Sequence, residues 1–226
     1  MNVRERYQEL QERIQSLCVR LDRVPDVLLL PVSKTQPIEA IRELYDLGIR
    51  DFGENRVQEL LKKKNELPED IRWHFIGNLQ SNKAKYIAPF VHVVHSIHSM
   101  NLANDLSKRA SQSNRMIRVL VEANISNEEQ KQGADTVDIE SIIMHITNEC
   151  PNLEVVGLMG MASFEDDPEK TRPQFRKLRQ LRDAIAERHT ELTTFKELSM
   201  GMSNDFEVAI EEGATIVRIG SALFGE

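Results

Sequence analysis

A chain of 226 residues with 40% hydrophobic and 29% charged residues has the composition of an ordinary globular protein, which excludes a disordered chain, and no apolar run reaches membrane-spanning length. Its net charge of −7 leaves no basic footprint for a nucleic-acid backbone, although a single phosphate group could still be held by local backbone geometry. Cys18 and Cys150 are too few for a disulfide framework or a metal-ligand set, and the charged N-terminus MNVRERYQELQERIQ is unlike a secretory signal, so a cytoplasmic protein that binds neither membrane nor nucleic acid is expected.

The first predicted element is a helix. Val3, Tyr7, Leu10, Ile14, Leu17 and Leu21 fall at spacings of three and four and draw one apolar stripe. Short apolar runs then alternate with helical patterns. Strands are predicted over 27–33, 49–52, 72–76, 91–95, 117–123, 153–159, 195–198 and 215–219, and helices over 37–47, 56–65, 80–87, 100–110, 137–149, 173–189 and 205–212. Gly48 and Gly213 stand just past their helices, where a left-handed residue is favoured. The polar stretch SFEDDPEKTRP reads as a solvated, mobile loop.

Strands alternating with helices imply parallel pairing through right-handed crossovers, and eight repeats fit a closed barrel better than an open doubly wound sheet. The expected fold is therefore α/β: a single-domain (β/α)8 TIM-like barrel over residues 1–226, with an extra N-terminal helix and no eighth helix after the last strand. The N-terminal helix is expected to cover that gap. Pro31 lies inside the first strand and lacks an N–H, which calls for a local bulge.

In such a barrel the chemistry sits where the strands end at their C-terminal side. Lys34 ends the first strand on the parity of Leu28, Leu30 and Val32, so if those residues face inward, its amine points into the mouth. An amine partly desolvated there is a nucleophile toward an aldehyde; a solvated loop lysine is the plainer alternative. Ser199, Met202 and Ser203 in SMGMSND, with Gly220 and Ser221 after the last strand, form two small Gly/Ser-rich loops of the kind that hold a phosphate. Read alone, each is equally an ordinary turn. Arg218 faces either the barrel interior or the helix layer, and His74 is more readily a satisfied strand histidine than a base.

LLLPVSKTQP, DFGENRVQE, WHFIGNLQSNK, GLMGM, LSMGMSND and VRIGSALFG, in that order, resemble the YggS-type pyridoxal-phosphate homeostasis proteins from Val27 to Gly225. The resemblance implies the single-domain barrel of fold-type III pyridoxal-phosphate enzymes. It also implies that Lys34 is the Schiff-base lysine and that Arg218 faces the pyridine nitrogen. Ser199, Met202, Ser203, Gly220 and Ser221 would form the phosphate end, with Asn55 and His74 near the ring. The implied function is that of a pyridoxal 5′-phosphate (PLP) carrier or regulator in vitamin B6 homeostasis. Such a monomer would pass coenzyme to apo-forms of PLP-dependent enzymes and carry no robust catalytic activity of its own. A small fold-type III amino-acid racemase or decarboxylase is the alternative, and a Schiff-base aldolase without a phosphate site is a third reading.

Overall fold

The fold is that of a computed structural model that describes residues 2–24, 26–126 and 133–225. It opens with α1 (Val3–Arg20), capped by a reciprocal pair of hydrogen bonds between Asn2 and Glu5. The following strands are β1 (Leu28–Pro31), β2 (Asp51–Glu54), β3 (Arg72–Phe75), β4 (Val93–Ile97), β5 (Ile117–Ala123), β6 (Leu153–Gly160), β7 (Glu197–Ser199) and β8 (Ile216–Ile219). Between them run α2 (Ile38–Asp46), α3 (Val57–Glu66), α4 (Ser81–Ile87), α5 (Met100–Gln112), α6 (Ile139–Glu149), α7 (Arg172–Arg188) and α8 (Phe206–Glu211). The stretch expected to be a mobile loop holds a 3-10 turn over Pro168–Thr171 that leads into α7.

All eight strands pair in parallel, in the order β1-β8-β7-β6-β5-β4-β3-β2. β1 and β2 meet only beyond β1, through a bridge between Val32 and Gly53 and a 2.9 Å bond from the Ser33 N–H to the Gly53 carbonyl. The sheet is thus a barrel rather than an open sheet, and its last seam is drawn at the C-terminal edge. That seam also accommodates Pro31. The N–H groups of Leu28 and Val32 donate to β8, whereas that of Ser33 donates to β2, so residue 31 would present its N–H to the open side of the seam. The expected bulge is not there: β1 and β8 stay in register from Leu28 and Ile216 to Pro31 and Ile219. The register shifts instead where β4 and β6 flank β5.

The larger hydrophobic core lies between strands and helices, with Phe52, Phe75, Phe175 and Phe195 among its fully buried side chains. α1 buries Leu10, Ile14, Leu17 and Cys18 against α2, α8 and the single turn α9 (Ser221–Phe224) that follows β8. It fills the place of a full eighth helix, as its apolar stripe suggested. A second, small apolar cluster of Val93, Leu120, Val156 and Met159 lies inside the barrel. Buried polar groups share that interior, among them His95, Glu122, Ser199 and Arg218. Among the described residues, no helix is long and apolar enough to cross a membrane.

Candidate functional site

Leu28 and Ile216 line the barrel interior, and strand alternation turns Leu30 of β1 and Arg218 of β8 toward the same space, while Lys34 lies in the turn three residues beyond β1. Arg218 is 4% exposed and bonds to Ser199 Oγ at 2.7 Å, the Ser199 carbonyl at 2.7 Å and the Gly160 carbonyl at 3.1 Å. Burial lowers its pKa to about 10, against the opposing pull of Glu122 and Asp205, so it stays a cation at neutral pH. Glu122, also buried, is pushed up to about 7 by desolvation, with Arg218 pulling the other way.

Lys34 stands at the mouth, one strand away from the Gly220–Ser221 corner. Its side chain is exposed. The desolvation expected from its position is not supplied by the protein's own walls. What is built firmly is the backbone that carries it. The carbonyl of Ser33 accepts from Lys63 Nζ at 2.5 Å, and the same ammonium bonds to Glu54 Oε1 at 2.6 Å, which also accepts from Ser33 Oγ at 2.6 Å. Thr35, at a left-handed φ of 62°, donates its N–H to Glu59 Oε2. Burial raises the Glu54 carboxyl even though Lys63 and Ser33 favour its charge. Neither residue of this ion pair was among the sequence candidates. A glutamate and a lysine nine positions apart carry no signal until β2 and α3 bring them together.

The two Gly/Ser loops lie side by side. The Ala222 N–H donates to Ser203 Oγ at 3.1 Å, joining the loop after β7 to the turn after β8. Asp205 accepts the Met202 N–H at 2.6 Å and fixes the first loop. Gly201 has a φ of 89°, and a Cβ there would lie 2.5 Å from that of Ala209. Among the described residues, the backbone N–H groups of Ser203, Asn204, Gly220 and Ser221 have no protein acceptor. They form a set of free donors suited to an anion. Met202 is exposed beside them. Ser199 is not part of this corner: its hydroxyl is fully buried and shared by Arg218 and His95, so its expected place at the phosphate end is not where the side chain lies.

Asn55 follows β2 with its Oδ1 buried and without a partner, and Ser96 Oγ in β4 is in the same condition. Unsatisfied buried acceptors of this kind fit a site that expects a polar ligand. Gly77 has to be glycine, because a Cβ would sit 2.1 Å from the Asn55 carbonyl oxygen. His74 is placed differently. It bonds to Asp51 Oδ1 at 3.1 Å and His95 at 2.9 Å, and it lines a cavity of about 700 Å³ at the opposite, N-terminal mouth, with Asp51, Arg72, His92 and Arg118. It reaches Arg218 only through His95 and Ser199. His95 was missed because a buried histidine in an apolar strand reads as core.

Residues 6–226 match the family model described as the alanine racemase N-terminal domain, which places the chain in that family of barrels. Its relatives narrow the assignment. The chain is 48% identical over 228 residues to the pyridoxal phosphate homeostasis protein of Aquifex aeolicus, covering 100% of this chain and 99% of that one. Identity to the human protein of the same name is 40% over 230 residues, covering 96% and 84%. Among solved structures, PipY of Synechococcus elongatus with PLP bound superposes with a TM-score of 0.81 at 34% identity, covering 94% of this chain and all of that one. The chain belongs to the pyridoxal phosphate homeostasis protein family.

Proposed function

We propose that this protein binds PLP at the C-terminal mouth of the barrel, holding it on Lys34 as a Schiff base, and serves as a carrier or regulator of the coenzyme. The observation that carries the reading is convergence at one mouth. An exposed lysine stands in the turn after β1, and the four unclaimed N–H groups after β7 and β8 lie at the neighbouring strand ends, in a chain similar along its length to PipY with PLP bound. When bound, the coenzyme supplies an aldehyde that condenses with an amine.

The rest follows from this chain's residues. Ser203, Asn204, Gly220 and Ser221 offer donors to the phosphate, while Asn55 Oδ1 and Ser96 Oγ are open to polar groups of the ring. Lys63 and Glu54 hold the Ser33 backbone, and so fix where the Lys34 side chain begins. Arg218, a permanent cation, disfavours a proton on any basic nitrogen placed beside it, which weakens the ring as an electron sink. That favours storage and hand-over to apo-enzymes above amino-acid turnover. The test is a visible spectrum of the reconstituted protein followed by borohydride reduction and peptide mapping. A yellow protein with pyridoxyl on the Lys34 peptide is expected; a colourless protein, or label confined to Lys83 or Lys85, refutes the reading.

A further inference from the structure

The barrel interior holds an unbroken line of hydrogen bonds running from the cofactor end to the opposite mouth. Arg218 Nη1 meets Ser199 Oγ at 2.7 Å, Ser199 Oγ meets His95 Nδ1 at 2.9 Å, His95 Nε2 meets His74 Nδ1 at 2.9 Å, and His74 Nε2 meets Asp51 Oδ1 at 3.1 Å. Five residues from five different strands take part. We propose that Ser199, His95, His74 and Asp51 form a one-directional hydrogen-bond relay that positions Arg218 for the cofactor from the far end of the barrel.

The direction follows from the two ends. Asp51 is gripped by Arg72 through two bonds, and that pair together with His74 holds its carboxyl far below the usual range despite burial. It is therefore an acceptor only, and His74 Nε2 must carry a hydrogen. In a neutral His74 the other nitrogen, Nδ1, is bare, so His95 Nε2 must be the donor between the rings. Full burial keeps His95 neutral, with its pKa pushed well below the ordinary value by desolvation and by His74 and Arg218. Its Nδ1 is then bare and accepts the Ser199 hydroxyl proton. Ser199 Oγ, having given its hydrogen away, turns its lone pairs to Arg218, which can only donate. Each bond has one donor and one acceptor.

The direction of the relay needs no coenzyme, whereas its effect on the cofactor rests on the function proposed above. Long-range proton–nitrogen spectra of the 15N-labelled coenzyme-free protein at neutral pH are expected to show both His74 and His95 with the hydrogen on Nε2. A neutral Nδ1–H tautomer for either ring at neutral pH overturns the relay. For the cofactor, His95→Leu and Ser199→Ala should weaken PLP retention by at least tenfold and move the pH dependence of its visible band. His95→Gln and Ser199→Thr, each of which keeps a donor and an acceptor, should restore much of both. If the conservative and disruptive variants behave alike, the positioning role is wrong. If the tautomers are as stated but the unsubstituted protein takes up no PLP, the functional reading fails and the coupling with it.

Discussion

Replacing Glu122 by Gln should make the coenzyme-free protein more stable, and only at neutral and alkaline pH. Burial raises the Glu122 carboxyl from 4.5 to about 7, so the folded state holds a proton that the unfolded chain releases two to three pH units earlier. Stability is then greatest below pH 4.5, falls as pH rises toward 7, and is level above that. At roughly 1.4 kcal/mol per pH unit the loss approaches about 3 kcal/mol. Glutamine mimics the protonated acid and cannot ionise. His92 titrates with the opposite sign in an overlapping window, because burial lowers it to about 4 and the unfolded chain binds the extra proton below 6.5. Buried His95 is lowered likewise, so the wild-type curve alone mixes several groups, whereas the difference between variant and wild type isolates Glu122. Urea unfolding at pH 4.5, 6 and 8 is the assay. The variant should match wild type at pH 4.5 and exceed it by about 2–3 kcal/mol at pH 8. A difference that does not change with pH would show that Glu122 is ionised at little cost, and the picture of its burial beside Arg218 would be wrong.

Lys34→Ala should lose the borohydride-trapped label while keeping its thermal midpoint within a few degrees, since an exposed side chain contributes little to packing; a variant that unfolds would mark the residue as structural. Replacing Ser203 and Ser221 together by Ala should weaken PLP far more than phosphate-free pyridoxal, by roughly 1.5–3 kcal/mol for each bond to a charged group, and equal weakening of both ligands in titration calorimetry would move the phosphate elsewhere. Gly157→Ala should destabilise the protein by about 2–3 kcal/mol or prevent folding, because the new methyl would lie 1.9 Å from the Glu197 carbonyl oxygen; a thermal midpoint like that of wild type would contradict the close approach of β6 and β7.

The barrel was legible because its elements are local. The apolar stripe of Val3 to Leu21 gives α1 whatever it packs against, and eight short runs separated by helices leave few alternatives to a closed parallel sheet. The inward face of Arg218 needed only the fold to choose between the two sides that strand parity left open, whereas Lys34 lies in a turn beyond β1, where parity no longer applies. Pro31 was misread for the same reason. Its cost depends on which neighbour its missing N–H faces, and that neighbour, β2, is not yet paired at residue 31.

The polar interior resisted reading because each of its members is unremarkable within its own strand. His95 sits among VVHSI, Ser199 ends a run of three strand residues, and Glu122 interrupts an apolar strand. Only the closed sheet makes them neighbours, across separations of 21 and 104 positions. A buried guanidinium bound to a hydroxyl and two carbonyls, without an ion-pair partner at contact distance among the described residues, would be an unfavourable element of a structural core. Its retention makes sense where a cation is needed at a fixed point, and the surrounding residues supply what fixes it. Ser199 and Gly160 set its direction, while Glu122 and Asp205 offset its charge from a distance. The ionised Asp51 closes the line at the other mouth. In the proposed function the strand ends would provide the contacts to the coenzyme, and the layer beneath them would set the electrostatics that it meets.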